Sequence, residues 1–75
     1  MNAKEVLDEL KWRGDRDLAR AVIWYVHRGA PGDSKRISGS EILELDRSFM
    51  HTAGSTIPYH RIFRIEYEGQ VLLER

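Results

Sequence analysis

Histidine and arginine stand side by side at two places in this chain, and the first place is a glycine-rich string. His27-Arg-Gly-Ala-Pro-Gly-Asp33 combines a guanidinium group with a turn. Arginine binds phosphate bidentately, and backbone N–H groups in such a turn can add donors. The alternative is a plain β-turn with a solvated histidine, and the spacing of a Walker loop is absent. The predicted anion contacts of this segment are His27, Arg28, Gly29, Gly32, Asp33 and, just beyond it, Arg36.

The second place is Ile57-Pro-Tyr-His-Arg-Ile62, where a proline interrupts an apolar stretch. The interruption places Tyr59, His60 and Arg61 together between two apolar anchors. Arg61 suits a phosphate contact, while His60 and Tyr59 suit hydrogen bonding to or stacking on a nucleotide. The alternative is an edge-strand bulge with exposed polar residues.

Arg47, in Asp46-Arg47-Ser48, is a third candidate cation, unless it pairs with Asp46 or Glu44. Nine of the twelve basic residues are arginine. Abundant Arg and Glu are also typical of the surface ion-pair networks of heat-adapted proteins. That alternative accounts for most of the arginines without any ligand.

Catalytic and metal-binding patterns are largely missing. The chain has no cysteine, no histidine spacing suited to zinc and no nucleophile elbow. His27, His51 and His60 have no obvious carboxylate companion in sequence, and His51 lies outside the candidate strings. We therefore expect no catalytic residue, no metal and no cofactor. A metal-free ribonuclease or cyclic phosphodiesterase that uses His27 and His60 remains a weaker alternative.

The first element is predicted to be a helix. Asn2 and Glu5 have the spacing of a capping box, and Gly14 suits the end of the helix. Apolar residues from Ala3 to Leu10 share one face. Trp12 lies on the opposite side, but we expect it to fold back and be buried, because tryptophan is seldom left in water.

The rest of the chain has the patterns of strands. A β-branched and aromatic stretch, Ala21 to Arg28, predicts a central strand, and a meander of short strands follows from Ile42 to Leu73. The predicted fold is α+β, with one N-terminal helix packed on a curved antiparallel sheet or small open barrel of about five strands. No second long helix is expected. The only other helical structure expected is a single turn near Pro58–Arg61. The residues expected to be mostly buried are Val22, Trp24, Val26, Ile42, Ile57, Ile62, Ile65 and Val71.

Length and charge limit the possible functions. With 75 residues the chain is one domain, 1–75, too small for a two-domain enzyme. The formal net charge is zero, which argues against salt-driven binding to long nucleic acids but not against gripping one terminal phosphate. The apolar run Ala21–Val26 is too short for a membrane span and the N-terminus has no signal-peptide pattern, so a cytoplasmic protein without membrane contact is expected.

The strings around His27–Asp33, Ile42–Phe49 and Ile57–Ile62 resemble a small, mostly archaeal uncharacterised protein family, also named the RNA cyclic-group end recognition domain. The resemblance spans Leu7 to Arg75. It implies recognition of an RNA 3′ end that bears a phosphate, such as a 2′,3′-cyclic phosphate, by a non-catalytic module with a separate RNA-processing partner. The alternative is a small protein–protein adaptor in RNA processing. The residues that match the family strings are His27, Arg28, Gly29, Gly32, Asp33, Arg47, Tyr59, His60 and Arg61.

Overall fold

The computed structural model describes all 75 residues and begins with a single α-helix, α1, at Ala3–Trp12. The capping box forms as predicted: Glu5 N–H donates to Asn2 Oδ1 at 2.9 Å, and Asn2 N–H donates to Glu5 Oε1 at 3.0 Å. The buried face of α1 packs against the sheets and consists of Ala3, Val6, Leu7 and Leu10. This helix is too short to cross a membrane.

The expectation that Trp12 is buried is wrong. Its surface is 76% exposed, and the Lys11 ammonium lies 5.2 Å from its ring centroid. The helix continues through Trp12, and Arg13 N–H caps its end by donating to the Glu9 carbonyl at 3.0 Å. Helical periodicity therefore holds the indole on the solvent side of α1.

Seven antiparallel strands follow, in two sheets with the orders β2-β1-β6-β7 and β3-β4-β5. The α+β class is confirmed, although the strands form two sheets and outnumber the expected count of about five. The unpredicted strand is β2, whose Lys35 and Arg36 hide its strand character. The strands are β1 (Ala21–Val26), β2 (Ser34–Ser38), β3 (Ile42–Leu45), β4 (Phe49–Thr52), β5 (Thr56–Pro58), β6 (Ile62–Tyr67) and β7 (Gln70–Glu74).

No second long helix occurs, as predicted, and a 3₁₀ turn at Tyr59–Arg61 occupies the expected position. Three further 3₁₀ turns lie at Leu18–Arg20, Pro31–Asp33 and Gly39–Glu41. The turn at Tyr59–Arg61 joins the two sheets, because it leads from β5 directly into β6. This turn therefore places His60 and Arg61 at the start of β6, the strand that pairs with β1.

Strand β1 is central, as predicted, with β2 on one side and β6 on the other. Burial alternates along it: Ala21, Ile23 and Tyr25 are in the core, while Trp24 is half-buried and Val26 is 42% exposed. Ile57, Ile62 and Ile65 are buried as expected. Val22 and Ile42 are half-buried, and Val71 is 43% exposed. The expectation fails for Val26 and Val71 because α1 covers only one face of the four-stranded sheet.

Candidate anion-binding site

The pairing of β1 with β6 brings the two histidine–arginine pairs together. The strands are antiparallel, with Tyr25 opposite Ile62. The residues just after β1 therefore lie at the same edge of the sheet as those just before β6. These residues line one open cleft of about 630 Å³: Val26, His27, Arg28, His60 and Arg61.

The cleft is cationic and has no acidic residue in its lining. Arg28 and Arg61 form no ion pair within the chain. Neither side chain donates a hydrogen bond to another group of the protein, and neither do the rings of His27 and His60. Unpaired cations that share a concave surface repel one another, and an anion removes that cost. The cleft is therefore suited to an anionic ligand.

The loop between β1 and β2 holds its shape through its own hydrogen bonds. His27 N–H donates to the Asp33 carbonyl at 2.9 Å, and Ala30 N–H donates to the His27 carbonyl at 3.2 Å. Asp33 N–H donates to the Ala30 carbonyl at 2.8 Å, and Gly29 N–H donates to Asp33 Oδ1 at 3.3 Å. Gly29 and Gly32 have φ values of 93° and 69°, which glycine adopts without strain. Four N–H groups of the loop are thus already occupied, so Gly29, Gly32 and Asp33 shape the loop that carries His27 and Arg28.

Tyr59 lies in the core and does not line the cleft. It is only 9% exposed, and its hydroxyl donates to the Asp46 carbonyl at 2.6 Å. Burial raises the pKa of Tyr59 to about 12. Its N–H donates to the Ser48 carbonyl at 3.3 Å, and Arg75 Nη2 donates to its carbonyl at 3.4 Å. Tyr59 therefore anchors the turn that presents His60, and Arg75, which the sequence did not single out, braces that turn.

Arg47 and Arg36 lie outside the cleft lining. Arg47 is exposed in the β3–β4 turn, next to Ser48, which bonds to Tyr59. Arg36 is exposed on β2, opposite Trp24. Neither forms an ion pair. The structure thus places two of the three predicted segments in one cleft, whereas Arg47, in the third, and Arg36, on β2 of the same sheet, lie outside its lining.

The ion-pair alternative explains only a minority of the arginines. Ion pairs to carboxylates involve three of the nine: Arg13, Arg20 and Arg64. The carboxylates closest in sequence to the candidate arginines have other partners, since Asp33 accepts from Gly29 and Asp46 accepts from His51. The other six, which include Arg28 and Arg61 of the cleft, form no ion pair.

His51 has a carboxylate partner that sequence inspection missed. Its Nε2 lies 2.5 Å from Asp46 Oδ2, and its Nδ1 lies 3.4 Å from Thr56 Oγ1. The hydrogen bond from His51, assisted by the N–H groups of Phe49 and Ser48, lowers the pKa of Asp46 to about 2. His51 lies on β4 opposite Glu44, and Asp46 lies in the turn that joins β3 to β4. The adjacency of these two strands in the predicted meander was the signal that could have revealed the pair. No group of three or more histidine and carboxylate side chains is placed to hold a metal ion.

The fold and the cleft define a small α+β domain with a cationic cleft. The chain belongs to the MJ1316 RNA cyclic group end recognition domain family, which matches residues 1–75. This confirms the resemblance seen in the sequence strings.

Its relatives include archaeal proteins named UPF0248. The protein from Pyrobaculum aerophilum is 38% identical, over 96% of this chain and 96% of its own length. The protein from Thermococcus onnurineus is 39% identical, over 97% of this chain and 84% of its own. The protein from Archaeoglobus fulgidus is 31% identical, over 92% and 99%. No solved structure matches the chain.

Proposed function

We propose that this chain is a non-catalytic RNA-binding domain that recognises a phosphate-bearing RNA 3′ end, including the 2′,3′-cyclic phosphate. The observation that carries the proposal is the cleft between the end of β1 and the start of β6, where two arginines and two histidines converge without a carboxylate. The name of the family supports an RNA end as the ligand. The overall charge of zero fits binding of one RNA end better than binding along the RNA chain.

Each lining residue has a role that follows from its chemistry. Arg28 and Arg61 donate charge-assisted hydrogen bonds to the non-bridging phosphate oxygens. His27 packs edge-on against the buried Tyr25 ring, at 6.2 Å between centroids, so it is the better-fixed imidazole. His60, exposed on the 3₁₀ turn, contacts the ribose or the terminal base.

The presence of two imidazoles in one cleft favours a second candidate, a metal-free cyclic phosphodiesterase. One imidazole would take a proton from the attacking water as the new P–O bond forms, and the other would protonate the ribose oxygen that leaves. Neither ring, however, has a hydrogen-bond partner that would fix its tautomer, whereas His51, which has one, does not line the cleft. We therefore prefer recognition without turnover.

Fluorescence anisotropy with three labelled oligonucleotides tests the proposal. They share one RNA sequence and end in a 3′-hydroxyl, a 3′-phosphate or a 2′,3′-cyclic phosphate. We expect the phosphate-bearing ends to bind at least tenfold more tightly than the hydroxyl end, as one charge-assisted contact provides. Equal affinity for all three ends contradicts the proposal, and failure to bind any of them favours a protein–protein adaptor.

Two variants distinguish the contribution of the cleft to RNA-end binding from the general effect of removing a positive charge. Arg61→Ala should remove the preference for phosphate ends, whereas Arg20→Ala, an exposed arginine paired with Glu68 outside the cleft, should keep it. The cyclic-phosphate oligonucleotide should also be recovered unchanged after incubation for hours, as judged by mass spectrometry. Hydrolysis that is lost in His60→Ala would establish the phosphodiesterase instead.

A further inference from the structure

The outer face of the four-stranded sheet continues directly from the cleft. Successive side chains of a strand point to opposite faces. Because Ile23 and Tyr25 are in the core, Trp24 and Val26 point to the opposite face, which α1 does not cover. Val26 also lines the cleft. Trp24 is therefore the next residue on this face, about 7 Å from Val26 by the rise of a strand.

The indole of Trp24 is held in place from one side. The guanidinium carbon of Arg64, on β6, lies 5.3 Å from its ring centroid. Arg64 is itself fixed, because it donates to Glu66 Oε2 and to Glu74 Oε2, both at 2.6 Å. Arg64 is thus a neutralised positioning residue that supports the indole.

The other neighbour of Trp24 is not neutralised. Arg36 is the cross-strand partner of Trp24 on β2, is exposed and forms no ion pair. A half-buried aromatic ring beside an unpaired guanidinium group is the combination that holds a nucleobase, through stacking and cation–π contact, on single-stranded nucleic acid. The charged residues around the ring make the face unlike the apolar groove that a protein helix requires.

We propose that Trp24, with Val26 and Arg36, is a stacking subsite for the base of the nucleotide whose phosphate the cleft binds. The inference rests on the proposed function and adds a contact to the base. The phosphate lies at the Arg28–Arg61 end, the ribose passes over Val26, and the base reaches the indole. Arg36 then faces the phosphate that precedes this nucleotide or the edge of the base.

Removal of the base tests the subsite directly. Two oligonucleotides carry the same terminal phosphate, one with an intact terminal nucleotide and one with an abasic ribose there. Wild-type protein should bind the intact end about tenfold more tightly. Trp24→Leu should bind both ends with the same affinity. The loss of the base and the loss of the indole should therefore not be additive in binding free energy. Equal binding of both ends by wild-type protein, or a retained preference in Trp24→Leu, would overturn the inference.

Fluorescence provides a second test that does not depend on the stability of the Trp24→Leu variant. Trp12 is exposed at the end of α1, so Trp12→Phe should fold normally and leaves Trp24 as the single tryptophan. In the Trp12→Phe protein the fluorescence emission of Trp24 should change as RNA is added. The midpoint of this change should equal the midpoint of the anisotropy titration. In Trp24→Phe the emission of Trp12 should not respond.

The outcomes separate the two proposals. Anisotropy that shows phosphate-dependent binding while the Trp24 emission stays constant overturns the stacking subsite and leaves the end-recognition proposal standing. Absence of phosphate-dependent binding overturns both.

Discussion

Arg61 and Arg64 are three residues apart, yet they belong to different regions of the molecule. Arg64 lies within β6 and forms ion pairs with Glu66 and Glu74, which raise its pKa, Glu66 most of all. Arg61 lies in the 3₁₀ turn before β6, lines the cleft and forms no ion pair. The same residue type is thus a structural part of the sheet in one region and a candidate ligand contact in the other.

The difference follows from the geometry of the ladder. Within a sheet, residues two apart on a strand and residues opposite on the next strand share a face, which is how Glu66 and Glu74 reach Arg64. Arg61, before β6, and Arg28, beyond β1, form no such pair. The two arginines of the cleft therefore lack the counterions that the ladder supplies to Arg64.

Charge reversal should weaken RNA binding at Arg61 and lower the melting temperature at Arg64. The loss of affinity at Arg61 is the largest effect we expect. Arg61→Glu replaces charge-assisted contacts with repulsion, so affinity for a phosphate-bearing RNA end should fall about 100-fold or more. Its melting temperature should stay close to that of wild type, because Arg61 stabilises no carboxylate. Anisotropy and differential scanning calorimetry measure the two quantities.

Arg64→Glu is the matched variant. It places a third carboxylate beside Glu66 and Glu74 and removes the contact with Trp24, so the melting temperature should fall. Discrimination between phosphate and hydroxyl ends should survive at temperatures where the variant is folded. Loss of that discrimination in folded Arg64→Glu would break the distinction between the two regions.

Tyr59→Phe tests whether the residue beside His60 belongs to the scaffold. The variant leaves the Asp46 carbonyl without its 2.6 Å donor in a partly buried place, so the free energy of unfolding should drop by about 1–3 kcal/mol. Urea denaturation measures this loss. RNA-end affinity should change less than threefold. A large loss of affinity without loss of stability would instead place the hydroxyl in the binding site.

The sequence was sufficient to predict the helix, its capping box and the central strand, because these depend on local signals. It also identified both halves of the cleft, since paired His and Arg next to turn residues are unusual on grounds of structure alone. It failed for β2, where charged residues mask the strand, and for Trp12, where helical periodicity outweighed the tendency to bury tryptophan.

The division of roles within the site could not be predicted from sequence. Tyr59 looks like a ligand contact beside His60, but its hydroxyl donates to the carbonyl of Asp46, a contact that the tertiary fold sets. Whether an arginine is paired also depends on register, as Arg64 and Glu74 on the next strand show. Asp33 looks like a ligand contact beside Arg28, but its carboxylate accepts from Gly29 within the same loop, and residue types alone do not reveal that local bond.

The Asp46–His51 pair, which lies outside the cleft lining, predicts a pH dependence of stability. The pKa of Asp46 is lowered from 3.8 to about 2 in the folded protein, with the hydrogen bond from His51 as the main cause. The ionised carboxylate therefore stabilises the fold above pH 3.8, and this contribution is lost as the pH falls through about 2. The difference in unfolding free energy between wild type and Asp46→Asn should shrink over that window, as urea titrations at stepped pH would show. A constant difference from pH 2 to 7 would rule out the pair as a stabilising contact.

The smallest expected effect is on the salt dependence of binding, and it gives the finest comparison of the two regions. For single strands, log K falls with log salt concentration by about 0.7 per neutralised phosphate. A site that holds one terminal phosphate, with Arg36 near the preceding one, should therefore show a slope between about −0.7 and −1.4. Arg61→Ala should bring the slope closer to zero, while Arg64→Ala should leave it unchanged, because Glu66 and Glu74 already neutralise Arg64. A wild-type slope of about −4 or steeper would mean that the protein neutralises many phosphates along the strand, and the cleft would then not be an end-specific site.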